Sequence, residues 1–152
     1  MNAAILMLAA PLVGTFLNGF MGRRWSATVV GIIGSLAVAI SFGSALFLAL
    51  PVLSGSMAAW HVELFDWIRT DTVNFPVALQ IDGLSACMIL LVTGVGFLIH
   101  LFSTAYMHHD AAIGRFFALI NLFIFFMLLL VTGQNLPLLF VGWEGVGLCS
   151  YA

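Results

Sequence analysis

The sequence predicts an all-α integral membrane protein of about five transmembrane helices, and three observations carry that reading. Of its 152 residues, 63% are hydrophobic and only 7% are charged, against roughly 25% charged in soluble domains. The mean hydropathy is +1.20. The few charges divide the chain into apolar runs long enough for a bilayer, which needs about 20 helical residues. Four arginines (23, 24, 69 and 115) face six acids, Glu63, Asp66, Asp71, Asp82, Asp110 and Glu144, and there is no lysine. That excludes a nucleic-acid binder working through a basic surface. It also excludes a disordered tail and a disulfide-rich secreted module.

The runs place helices at about 3–20, 27–53, 84–106, 116–132 and 136–152, with an outer loop at 54–82. In lipid the backbone must satisfy its own hydrogen bonds, so such runs are helices. A cleaved signal peptide carries its positive charges before the apolar core, whereas Arg23 and Arg24 follow the first run. The first run is therefore read as a retained span. Pro11 is expected to kink helix one, and Pro51 falls near the end of helix two.

Arg23 and Arg24 lie between helices one and two, and Arg115 lies between helices three and four. Both turns fall on one side of a serpentine, and that side is assigned to the cytoplasm or its equivalent. The 54–82 loop then faces outward. Within it Val73, Phe75, Val77, Leu79 and Ile81 alternate with Asn74, Pro76, Ala78 and Gln80. A period of two predicts an edge strand with one apolar face. The Trp60–Trp67 stretch is its expected partner across Thr70-Asp71-Thr72, giving a short hairpin lying on the membrane surface. Trp60 and Trp67 suit the interfacial belt.

Few residues carry chemistry. Cys87 and Cys149 have neither metal-site spacing nor a disulfide setting, and are read as buried and inert. His108, His109 and Asp110 are neighbours at a helix end, without the spacing of a ligand pair, and are read as a solvated turn. Asp82, before Gly83-Leu84-Ser85, is read as the N-cap of helix three. His100 lies deep in helix three. It either bonds a neighbouring helix or relays protons, since histidine titrates near neutral pH.

Glu144 stands apart. Asn135 is an expected N-cap for helix five, and nine residues later Glu144 sits about 14 Å along the helix, near the middle of a 30 Å hydrocarbon core. A charge there costs on the order of 3 kcal/mol on insertion scales. Gly142, Gly145 and Gly147 flank it and are expected to let a helix or a water chain approach the carboxylate. In hydrocarbon the charged form of a carboxylate is disfavoured, and a nearby cation restores it. A carboxylate whose cation partner moves can thus load and release a proton, so Glu144 is expected to be an intramembrane proton carrier, the alternative being an acid that pins two helices by an ion pair.

The string Gly142-Trp143-Glu144-Gly145-Val146-Gly147-Leu148-Cys149-Ser150-Tyr151 resembles the membrane-arm subunit L of respiratory complex I, the NADH-quinone oxidoreductase, called chain 5 in mitochondria. Asp82-Gly83-Leu84-Ser85, Gly94-Val95-Gly96-Phe97-Leu98-Ile99-His100, Tyr106-Met107, Arg115-Phe116-Phe117 and Asn135-Leu136 support the likeness. The resemblance implies an antiporter-like domain contributing a proton-translocation channel coupled to NADH:quinone electron transfer. It implies that the glutamate at 144 faces a lysine on a later, broken helix. It places NADH, FMN, Fe–S clusters and quinone in other subunits, with no cofactor or metal bound by this chain. The implied partners are the other membrane-arm subunits, the lipid bilayer and protons, in a bacterial inner membrane or, alternatively, the mitochondrial one. Family members are several times longer, so the chain is expected to be an N-terminal fragment, inactive alone, with helix five cut short. The alternatives are a subunit of a related multisubunit sodium/proton antiporter and a small, non-transporting helical assembly protein.

Overall fold

The computed structural model describes residues 2–152. Five helices and one hairpin follow in order: α1 Asn2–Met21, α2 Ala27–Leu53, β1 Trp60–Arg69, β2 Asn74–Ile81, α3 Gly83–Tyr106, α4 Ile113–Thr132 and α5 Leu136–Tyr151. Four of the helices, α1 to α4, are long and apolar enough to cross a membrane. The 16 residues of α5 reach only about 24 Å. The helices run up and down, with α2 packed on α1, α3 and α4, and α4 in turn on α1, α3 and α5.

Polarity is distributed as in a membrane protein. Large apolar side chains point outward from every helix, Phe20 at 80% and Phe102 at 69% exposure among them, a pattern that water would punish. Inside lie Asn18, Ser41, Thr93, His100, Asn121 and Thr132. Where no water can serve them, these groups back-bond to carbonyls: Thr93 donates to Ile89 at 2.6 Å and Thr132 to Leu128 at 2.6 Å.

One of these bonds repairs a defect that the sequence creates. Pro11 has no N–H to give to the carbonyl of Met7, four residues back. The Ser41 hydroxyl of α2 donates to that buried carbonyl at 2.7 Å. Ser41→Ala should therefore cost about 1 kcal/mol, and the cost should vanish once Pro11→Ala restores the helix's own donor. Thermal unfolding of the two single variants and the double variant in detergent measures this coupling. A loss from Ser41→Ala that persists undiminished beside Pro11→Ala refutes the repair.

The hairpin is present, with β1 and β2 antiparallel. Val73 falls outside β2, because its carbonyl and N–H close the turn onto the N–H and hydroxyl of Thr70. Register shifts between Glu63 and Phe65, and between Asp66 and Ile68, leave Leu64 and Trp67 as extra residues that twist β1. The hairpin does not simply lie on a surface. Its second strand is held between β1 and the α4–α5 turn: Gln134 N–H donates to Ala78 O at 3.1 Å, and Leu79 bridges Gly133. That is why Ala78 is buried along with Val77, Leu79 and Ile81, and why the simple alternation fails. Trp60 is tied to the helix bundle. Its indole N–H donates to Leu48 O of α2 at 3.0 Å, and its ring packs on the core. Trp67 is exposed.

Asn135 fixes this junction twice over. Its Oδ1 accepts from Leu138 N–H at 3.0 Å, which caps α5, and its Nδ2 donates to Pro76 O at 2.6 Å. Asn135→Ala is expected to cost about 2 kcal/mol, roughly half for the cap and half for the stranded carbonyl. Asn135→Asp keeps the acceptor and loses the donor, so it should recover about half. Thermal melting and proteolysis at the hairpin tip read both; equal losses for Ala and Asp would place the whole effect on Pro76.

Candidate functional site

Glu144 sits on the face of α5 turned away from α4, exposed, with no hydrogen bond or ion pair among the described residues. At 100° per residue, it shares that face with Phe140, Gly147, Leu148 and Tyr151, all exposed. The flanking glycines divide their work, contrary to the expectation that all three open the carboxylate to approach. Gly142 and Gly145 are buried against α4. A Cβ on Gly142 would lie 2.7 Å from Leu130 N and 2.8 Å from its Cα, and one on Gly145 would strike the Phe126 ring. Only Gly147, with open space around it, leaves room beside Glu144. The first two glycines bring two helix backbones together; the third alone keeps the carboxylate's side clear.

His100 occupies the bundle interior at 1% exposure. Its Nδ1 lies 2.7 Å from Gly96 O of its own helix, so that nitrogen carries the proton and the ring pins no neighbouring helix. The ring meets Phe117 of α4 edge-on at 5.8 Å. Its Nε2 has no protein partner, and the same holds for Oδ1 of Asn18 and of Asn121, both buried. The two amides converge on Gly34: a Cβ there would lie 3.1 Å from Asn121 Nδ2 and 3.2 Å from Asn18 Nδ2, and against Phe117. The interior thus holds three buried acceptors around one aromatic ring, and each can be completed only by a donor. Asn18 and Asn121 escaped sequence reasoning, although a lone carboxamide in an apolar run is the signal that marks them.

Glu144 and His100 are not neighbours. His100 packs at the level of Phe117, and Gly145, next to Glu144, at the level of Phe126. Nine residues of α4 separate these levels, about 14 Å along the helix. No direct proton transfer joins the two.

The remaining polar residues are placed as follows. Asp82 caps α3, accepting from Ser85 N–H at 2.9 Å. That hydrogen bond is the main cause holding its carboxyl below the usual aspartate range. His108 and His109 lie in the exposed α3–α4 turn, where His108 Nε2 is 3.4 Å from the Thr28 hydroxyl of α2. The cysteines depart from expectation: Cys87 is exposed and Cys149 half-buried, since both lie on outward faces of helices that are apolar all round.

A family model described as NADH-Ubiquinone oxidoreductase (complex I), chain 5 N-terminus, matches residues 67–117. The chain is 41% identical over 149 residues to NADH-ubiquinone oxidoreductase chain 5 of Metridium senile, covering 97% of this chain and 24% of that one. It is 40% identical over 151 residues to NADH-quinone oxidoreductase subunit L of Escherichia coli, covering 99% of this chain and 25% of that one. Among solved structures, the Mrp complex from Dietzia sp. contains a chain that superposes with a TM-score of 0.76 at 24% identity, over 97% of this chain and 15% of that one. That likeness shows the shared fold. The chain spans about a quarter of the length of the curated relatives it matches. Along nearly all of its own length, at about 40% identity, the chain is similar to the subunit L/chain 5 family of NADH-quinone oxidoreductase.

Proposed function

We propose that the chain forms part of a proton-translocating membrane subunit of an NADH:quinone oxidoreductase, with Glu144 as its proton carrier. The observation that carries this reading is the unpaired carboxylate of Glu144 on an otherwise apolar helix face. A charge facing hydrocarbon is costly, so that face belongs against protein or a hydrated path. A basic side chain on a neighbouring helix would complete the carrier, drawing the proton off when near and letting it return when withdrawn. His100, with Nε2 free in the interior, is proposed as a separate relay point. It would need an intervening group to communicate with Glu144.

In this reading NADH, FMN, Fe–S clusters and quinone are held by other subunits, and the membrane is a bacterial inner membrane or the mitochondrial one. The end of the bundle bearing Arg23, Arg24 and Arg115 faces the cytoplasm or matrix. The test is the proton yield per electron of the assembled complex carrying Glu144→Gln in the full-length subunit. A lowered yield supports the role; a normal yield in a fully assembled variant overturns it. The Mrp neighbour favours a second reading, a sodium/proton antiporter subunit. Sodium-dependent transport without NADH oxidation would select it.

A further inference from the structure

We propose that the cleft between the end of α1 and the start of α4 binds a phosphate group, as carried by an anionic lipid headgroup. The cleft measures about 500 Å³, within the usual range of small-molecule pockets, roughly 300–1,000 Å³. Arg23 and Arg115 line it; four other clefts on the bundle have no charged side chain in their walls.

The cleft exists because two glycines let the backbones touch beneath it. A Cβ on Gly22 would lie 2.8 Å from the Cα of Gly114, and one on Gly114 would lie 3.0 Å from the Cα of Gly22. The helices are joined at that point, and beside it Arg23 and Arg115 line the cleft while Ala118 and Leu119 form an apolar wall on the α4 side. The charge balance favours an anion. Arg23 has no carboxylate partner among the described residues, whose one ion pair joins Arg69 to Asp66 at the opposite end. Arg115 spends one Nη2 donor on Ala152 O at 3.2 Å, out of five in its fork. The nearby carboxylate, Asp110, is turned onto Ala112 N–H at 2.7 Å. The 20-residue α4 begins without a side-chain cap, so the positive end of its dipole adds to the two guanidinium groups.

The position identifies the source of the phosphate. The cleft lies at the ends of two membrane-length helices, which is where a spanning bundle meets lipid headgroups. Basic pockets between transmembrane helices at that depth hold anionic lipid heads, and the apolar wall continues toward the acyl region. Free phosphate shares the headgroup chemistry but would leave that wall unused.

The experiment uses the full-length protein in nanodiscs of phosphatidylcholine doped with phosphatidylglycerol, with retained lipid counted by native mass spectrometry. Arg23→Gln and Arg115→Gln are each expected to lower phosphatidylglycerol retention roughly tenfold, as loss of a charge-assisted pair should. Arg24→Gln removes the same charge one residue along, outside the cleft, and should change retention less than about threefold. All three side chains are exposed, and unchanged melting temperatures confirm intact folding. Equal losses from Arg24→Gln and Arg23→Gln would reduce the effect to general surface charge and overturn the site. Inorganic phosphate titrated into the wild type provides the second arm. Millimolar phosphate that binds through Arg23 and Arg115 with no selective lipid retention would overturn the lipid source.

Discussion

Glu144→Gln, introduced into the full-length subunit within its complex, is expected to lower proton flow through this subunit by on the order of 100-fold while leaving assembly intact. Glutamine matches glutamate in shape and keeps a polar group at the site, but it cannot carry a proton. The loss of a positioned acid–base group is worth 10²–10⁴ in rate. Assembly should survive because Glu144 makes no hydrogen bond or ion pair among the described residues and faces away from α4. Glu144→Asp retains a titratable carboxyl, drawn back by one methylene, and should keep a measurable fraction of the flow. The measurement is protons moved per electron in sealed vesicles, with quinone reduction followed in parallel. Equal retention of flow by Asp and Gln would mean that the site serves packing and not proton transfer.

The second large effect concerns stability, and here two glycines of the same motif should respond with opposite sign. Gly142→Ala places a methyl group 2.7–3.0 Å from the N, Cα and Cβ of Leu130. Two of these are backbone atoms that cannot swing aside, so α5 must lift from α4. A gap of 0.5–1 Å forfeits a quarter to a half of each dispersion contact along the seam, and overpacking of this kind costs about 1–3 kcal/mol. Gly147→Ala meets nothing within 4 Å, and exchanging glycine for alanine inside a helix gains up to about 1 kcal/mol. Melting of the two variants in the same detergent decides the matter: a lower transition for Gly142→Ala and an equal or higher one for Gly147→Ala. Destabilisation by both would show that α5 needs glycine for conformational reasons rather than for contact with α4.

The contrast between these glycines shows where sequence reading succeeds and where it stops. Length and charge placement locate the spans, because the energetics of hydrocarbon leave little choice. The alternation from Phe75 to Ile81 locates a strand for the same kind of reason. Which side of a helix faces inward is another matter. In a soluble helix, polarity marks the outer face, but α5 is apolar on all sides apart from Glu144, and contrast between its faces is absent. Hence Gly142 and Gly145 could be seen as glycines but not as the α4 contact, and Cys87 could be placed in a helix but not on its outer face. Asn18 and Asn121 were readable as polar residues within apolar runs. Their convergence on Gly34 and Phe117 depends on how α1, α2 and α4 meet, which no local pattern encodes. Glu144 stands out in the sequence because its cost in lipid does not depend on orientation.

The junction between the hairpin and the α4–α5 turn bears on biogenesis. The hairpin is synthesised before α3 and α4, yet the donors that complete its second strand, Gln134 and Asn135, come more than fifty residues later. They arrive on the right side only if the α3–α4 pair has threaded out and back. Failure of one of these two spans to insert would leave the carbonyls of Pro76 and Ala78 on one side of the bilayer and their donors on the other. The latch therefore closes only when both α3 and α4 have crossed, and it couples the completion of that helix pair to the folding of a small water-facing structure.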